Sequence, residues 1–274
     1  MAHCLGLSGS IILSDPLKFP ELFKKDFHHI EIGEFPDQNS FHYFLGILRD
    51  KNITFGLHSP LYRNQSKYDL LEKVYCEPEE AWRQFESEVE YMSSLGDEYV
   101  LVHFPYFKEK SNNNVNLVIE SGLTKLKSIR DKYHIPIVCE PKLGLSRSAF
   151  GINSLNEFPL EIWGKYDLKL CIDIGDYLIA SGEHTLGFIS KFKQYIKVVH
   201  LHNVEFINDK YIWVPVHPSH EKDEIHFKIT DLILFLSNCE DVFFVFEHTP
   251  HTNPTKSFVE EGIQWIKGLV ENKS

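Results

Sequence analysis

One arrangement occurs six times along the chain: a short run of β-branched or aromatic residues that stops abruptly on a histidine or an acid. TFGLHSP stops at His58, YVLVHFP at His103, IPIVCEP at Glu140, KLCIDIGD at Asp173 with Asp176 behind it, VVHLHN at His200 and His202, and VFFVFEH at Glu247. Runs this apolar belong to parallel strands that are covered on both faces, and a segment with helical spacing follows each of them. Further runs near Cys4 and His29 bring the count to eight strand–helix repeats. The expectation is an α/β protein, a TIM (β/α)8 barrel in which residues 1–274 form a single domain, since such barrels commonly take about 250 residues. The competing architecture, an open doubly wound sheet, would carry G-x-G-x-x-G after its first strand, and LGLSGS lacks that spacing.

Helix starts are expected at Asp15-Pro16 before PLKFPELFKK, at Ser40 before FHYFLGILRDK and at Glu77-Pro78 before EEAWRQFESEVEYMSSLG. NLVIESGLTKLKSIRDKY, SLNEFPLEIWGKY, HTLGFISKFKQY, ITDLILFLSNC and TKSFVEEGIQWIKGLV supply the remaining crossovers. Residues 205–223 read as a long irregular loop on the strand-end side, where long loops usually serve function.

Composition narrows the class of function. No apolar stretch approaches the roughly 18 residues of a membrane helix, so no membrane partner is expected. The opening MAHCLGLSGSIIL has no basic region followed by a cleavage site, which argues against a signal peptide. Five cysteines without a close pair read as reduced and buried, which points to the cytoplasm. Cys139 and Cys171 are expected to face the helices, away from the acids beside them. The net charge of −11 disfavours broad attraction to a nucleic-acid backbone, while a local basic groove stays open as an alternative.

In a parallel barrel all strand ends share one face, so His58, His103, Glu140, Asp173, His200 and Glu247 should converge there. A lone strand-end histidine is ordinarily a satisfied core or loop residue, and a lone strand-end acid ordinarily caps the next helix. Six in the same position reverse that weighting. Acids brought together in a half-buried site repel unless a cation compensates, so one or two divalent ions are expected. Imidazoles with carboxylates and no strand-end thiolate suit zinc, manganese, iron or cobalt, zinc and manganese first. Asp176, His202, His217, Lys142 and Arg147, in the loops beyond the strand ends, are candidates to touch a substrate, and Arg63 and Lys108 lie in similar loops. Trp163, Trp213 and Phe206 are candidates for a pocket wall or a subunit contact, and the oligomeric state is left open.

The motifs CEP, CIDIGD, VVHLHN and FEHTP, in that order, resemble the xylose-isomerase-like barrel superfamily, which includes sugar isomerases and epimerases and endonuclease IV. The resemblance runs nearly end to end. It implies that Glu140, Asp173, His200 and Glu247 hold one metal, and that Glu140 and Glu247 serve as acid and base. For the endonuclease branch it implies a second ion on His58, His103 and Glu140, and His217 matches one ligand of a third. Asp176 stands where that branch has histidine and Pro215 where it has aspartate, which leaves the third position damaged. The function implied is isomerisation or epimerisation of a small sugar or sugar phosphate. The alternative is metal-dependent phosphodiester hydrolysis on DNA, and a barrel keeping a metal only for stability or sensing is the non-enzymatic reading.

Overall fold

The computed structural model describes residues 3–51, 53–110, 114–207 and 210–271. Every expected run is a strand: β1 Cys4–Ser8, β2 His29–Ile32, β3 Thr54–His58, β4 Val100–His103, β5 Ile137–Glu140, β6 Lys169–Asp173 and β7 Ile196–Leu201. After a hairpin of β8 Asn203–Ile207 and β9 Lys210–Val214 comes the last barrel strand, β10 Phe243–Phe246. The eight parallel strands close in sequence order, with β10 returning to β1.

Strand alternation divides the apolar residues into two cores. Tyr99, Leu101, Val138, Cys171, Val198, Phe243 and Val245 form a compact cluster inside the barrel, with Cys4 packed against it. The intervening residues, among them Val100, Val102, Ile137, Cys139, Ile172 and Val199, join the larger core under the helices. Two residues beyond the interior cluster the same alternation delivers His103 after Leu101, Glu140 after Val138, Asp173 after Cys171, His200 after Val198 and Glu247 after Val245. Register aligns them: His103 lies beside Glu140, Asp173 beside His200, and Val245 beside His200.

Four expectations need correction. PLKFPELFKK forms a 3-10 turn over Pro16–Leu22, because Pro20 sits inside it and cannot donate an α-helical hydrogen bond. Helix α1, Gln38–Lys51, begins ahead of Ser40, whose backbone N–H is taken by the Asp37 carboxylate at 2.8 Å. Past α2 (Pro78–Ser93) and α3 (Val115–Tyr133), the segment SLNEFPLEIWGKY breaks at Pro159 into α4 Phe150–Glu157 and α5 Leu160–Gly164. The expected loop 205–223 begins as the antiparallel β8–β9 hairpin, paired from Asn203 with Val214 to Ile207 with Lys210. One helix was not foreseen: α6, Ile174–Ser181, starts directly after β6 with the Asp173 side chain accepting from the Asp176 N–H. Helices α7 Thr185–Lys191, α8 Thr230–Leu236 and α9 Lys256–Glu271 fall where expected. Among the described residues no helix is long and apolar enough to cross a membrane.

The barrel interior holds one large polar ring, Tyr99, and a glycine makes room for it. A Cβ on Gly56 would meet the Tyr99 ring at 2.6 Å. Gly56→Ala is therefore expected to destabilise the protein by about 1–3 kcal/mol through overpacking, read from urea unfolding. A loss below about 0.5 kcal/mol would mean that the Tyr99 ring is free to move aside.

Candidate metal centre

The six expected residues meet at the C-terminal mouth of the barrel, and five of them are nearly inaccessible to solvent: His103, Glu140, Asp173, His200 and Glu247. They form two sets that share Glu140. In the first, His58 Nε2, His103 Nε2 and Glu140 Oε2 lie 3.0, 3.3 and 3.2 Å from one another. Zinc bonds of about 2.0–2.1 Å in a tetrahedron give ligand–ligand edges of about 3.3 Å, so these three atoms already have the spacing of one face. Two imidazole nitrogens facing each other at 3.0 Å need a proton or a cation between them. In the second set, Glu140, Asp173, His200 and Glu247 each offer an atom within 4.8 Å of the others. His200 Nδ1 lies 3.2 Å from Glu140 Oε1 and 2.9 Å from Glu247 Oε2. Glu140 Oε2 and Glu247 Oε2 are buried without a hydrogen-bond partner. The donor chemistry and the orphaned oxygens fit divalent ions.

Sequence reasoning missed Glu31. It is fully buried on β2, joins His58, His200 and Glu247 in a further cluster, and receives hydrogen bonds from Tyr99 and His200. The sequence carries a signal for it, since the alternation HIEI puts Glu31 on the same side as His29. The expectation for Cys171 is wrong. Two residues from Asp173, it shares that residue's face, lies inside the barrel and forms a cluster with Glu140 and His200. Its thiol is pushed well above the ordinary range, first by burial.

Lys142 was expected to reach a substrate. Instead its ammonium is buried among three carboxylates, 3.1 Å from Glu140 Oε1, 2.5 Å from Asp173 Oδ2 and 2.8 Å from Asp176 Oδ2, with the Trp213 ring 4.5 Å away. Burial works against ionising Glu140, but Lys142 and then His200 outweigh it and hold the acid well below its usual range. Asp173 shifts the same way, burial again being overcome by Lys142 and His202. Asp176 goes the other way, to about 6, through burial and then the Asp173 charge. His103 is lowered to about 3, chiefly by burial, so its imidazole is neutral at ordinary pH.

Above these groups lies a cavity of about 420 Å³, lined by His58, His103, Lys142 and Glu247 at its base and by Tyr68, Trp213, Arg63 and Lys67 among its walls. Four expected contacts lie outside that lining. His202 donates its Nε2 hydrogen to Asp173 Oδ1 (2.8 Å) and stacks on Trp213, so it steadies Asp173. Asp176 is spent on Lys142. His217 is turned onto α9, where its ring stacks on Phe258 at 3.9 Å and Nε2 meets Glu261. Arg147 is exposed, its guanidinium 5.4 Å from the Phe206 ring. Lys108 reaches the Lys73 carbonyl, Trp163 is wholly buried, and only Trp213 of the three aromatic candidates faces the cavity.

With the geometry in hand, comparison with known proteins is informative. The family described as xylose isomerase-like TIM barrel matches residues 19–269. Solved structures similar to this chain include a D-tagatose 3-epimerase-like protein, 18% identical with a TM-score of 0.69, covering 97% of this chain and 99% of the other. A xylose isomerase-like TIM barrel protein from Mycobacterium smegmatis in complex with magnesium is 12% identical with a TM-score of 0.63, over 98% and 97% of the two chains. An AP endonuclease, family 2, from Brucella melitensis is 14% identical with a TM-score of 0.61, over 97% and 98%. No curated protein matches by sequence.

Two outcomes follow from the site's electrostatics. Lys142→Met leaves Glu140, Asp173 and Asp176 without their buried cation, and should cost the metal-free protein about 3–5 kcal/mol in urea unfolding; a loss under 1 kcal/mol would refute the ion-pair role. Glu88 on α2 accepts from the Ser59 hydroxyl at 2.6 Å, directly behind His58, and burial raises its pKa to about 7. The folded state therefore keeps a proton that the unfolded chain releases near 4.5, so its contribution is full below pH 4.5 and lost as pH rises through about 7. Relative to Glu88→Gln, wild-type stability should decline across that window, and a flat difference would reject the assignment.

Proposed function

Because the chain belongs to the xylose isomerase-like TIM barrel family, we propose that it is a divalent-metal-dependent isomerase or epimerase of a sugar or sugar phosphate. The family gathers sugar isomerases and epimerases with endonuclease IV-like enzymes. The observation that carries the choice is the cavity: about 420 Å³, walled by Tyr68 and Trp213, with Glu247 at its base. That volume suits one small polyol rather than a strand of nucleic acid. None of the five cysteines is in a disulfide among the described residues, which supports a cytoplasmic setting.

Glu140, Asp173, His200 and Glu247 are the residues that would hold the first ion, and His58, His103 and Glu140 a second. Bound there, an ion polarises a substrate carbonyl or hydroxyl and stabilises the charge that develops as the proton leaves. The protein's own groups do the rest. Glu247 faces the cavity, takes a proton from substrate carbon at a carboxylate oxygen and returns that same proton to the substrate where the new C–H bond forms, while Glu140, held ionised by Lys142 and outside the cavity lining, keeps its negative charge beneath the reacting carbon. Tyr68 and Trp213 keep water from the reacting carbon. Ser8, Ser10 and Thr249 line the cavity with hydroxyls able to bind those of a sugar. Arg63 lends its guanidinium to the cavity wall while it ties the carbonyls of Leu13, Ser14 and Glu34, and a substrate phosphate would meet it and Lys67.

Phosphodiester hydrolysis is the second reading, favoured by the spacing of His58, His103 and Glu140. The net charge of −11 and a cavity partly closed by the β8–β9 hairpin weigh against a polyanionic strand.

Glu247→Gln should lower turnover of a sugar substrate by about a hundredfold or more while leaving the circular dichroism unchanged. Near-normal turnover in that variant would sink the proposal. Metal content per chain, compared with a His58→Ala/His103→Ala double variant, is expected to fall from two ions to one. Turnover of a DNA substrate and of no ketose or ketose phosphate would favour the second reading instead.

A further inference from the structure

A hydrogen-bonded column runs up the barrel interior to the centre. It begins at Thr54, at the start of β3, whose hydroxyl lies 3.0 Å from His29 Nδ1. His29 Nε2 lies 3.0 Å from the Tyr99 hydroxyl, which donates to Glu31 Oε2 at 2.8 Å. Glu31 Oε1 then lies 2.8 Å from His200 Nε2. His29, Tyr99, Glu31 and His200 are all fully buried. Phe243 packs beside both His29 and Tyr99, at ring centroids of 4.4 and 5.4 Å, and fixes their planes.

The donors can be assigned along the column. A tyrosine hydroxyl has one hydrogen, and the carboxylate is its strongest acceptor, so it goes to Glu31. The Tyr99 oxygen then accepts from His29 Nε2–H. Burial keeps the His29 ring neutral, its pKa lowered to about 4, so Nδ1 carries no hydrogen and faces the Thr54 hydroxyl, which donates to the His28 carbonyl at 3.1 Å. Glu31, with Oε2 already satisfied, accepts at Oε1 from His200 Nε2–H. The other nitrogen of that ring, Nδ1, faces Glu140 and Glu247.

We propose that Glu31 is a positioning residue for the centre: steadied by Tyr99 and His29, it holds the Nε2 hydrogen of His200 and so presents Nδ1 as the atom that binds the ion. The role rests on the reading of Glu140, Asp173, His200 and Glu247 as an ion site. A carboxylate that takes the second nitrogen's hydrogen orients the ring and raises its basicity as a ligand. Tyr99 and His29 lie too deep to touch a substrate, so any effect they have must pass through Glu31.

The test needs no turnover. Histidine side-chain nitrogen NMR on the zinc-loaded protein should show His200 metallated at Nδ1 and carrying hydrogen at Nε2. Zinc affinity, measured by competition with a chromogenic chelator, should fall about 10–100-fold in Glu31→Leu, less in Glu31→Gln, which keeps an acceptor oxygen, and measurably in Tyr99→Phe. If Glu31→Leu fails to fold, Tyr99→Phe and Glu31→Gln carry the comparison. Metallation at Nε2, or equal zinc affinity in wild type and all folded variants, overturns the positioning role while leaving the functional reading intact. A wild-type chain that binds no zinc, manganese or magnesium overturns both.

Discussion

Four carboxylates, Glu31, Glu140, Asp173 and Glu247, meet below the C-terminal mouth of the barrel, each nearly inaccessible to solvent. Much of the neighbouring structure answers to that repulsion. Lys142 places one ammonium against Glu140 and Asp173, His200 and His202 supply imidazole hydrogens, and Tyr99 supplies a hydroxyl from below. Glu140 and Asp173 are held ionised against burial, whereas Asp176, crowded by Asp173, is pushed up. Glu140 and Glu247 each keep a buried oxygen without a hydrogen-bond partner at the place where an ion would sit, as does Asp176 beside them.

The geometry that gathers these groups is the period-two alternation of parallel strands. It filled the lower interior with Leu101, Val138, Val198 and Val245 and carried the ligand layer just above them. Because that pattern is local and repeated, the barrel, its strands and the meeting of His58, His103, Glu140, Asp173, His200 and Glu247 at its mouth were legible from the sequence. A strand-end residue has few places to point once its neighbour's side is known.

What was not legible depended on partners distant in sequence. Lys142 reads as an exposed loop cation until Asp173 and Asp176 close around it. His217 lies beside the site in sequence, yet Phe258 and Glu261 on α9 draw its ring away. Glu31 lies inside its strand rather than at its end, and its burial becomes meaningful only when Tyr99 from β4 and His200 from β7 bond to it. Cys171 was misplaced by a simpler slip, since a residue two positions from Asp173 must share its face. The β8–β9 hairpin was hidden because its strands are short and half-exposed, with β-branched residues mixed among charges.

That hairpin sits differently from every other strand. It pairs only with itself, forming a separate two-stranded sheet, and it is fastened to the barrel by side chains and by the hydrogen bond from the Thr249 N–H to the Trp213 carbonyl. The barrel strands cannot drift without moving the ligands they carry, but a self-paired ribbon can lengthen, shorten or change residues while the ring of strands beneath keeps its register. The residues gathered at the mouth and the wall above them thus sit in parts that can change separately, with Trp213 the point at which the self-paired roof meets the closed ring of strands.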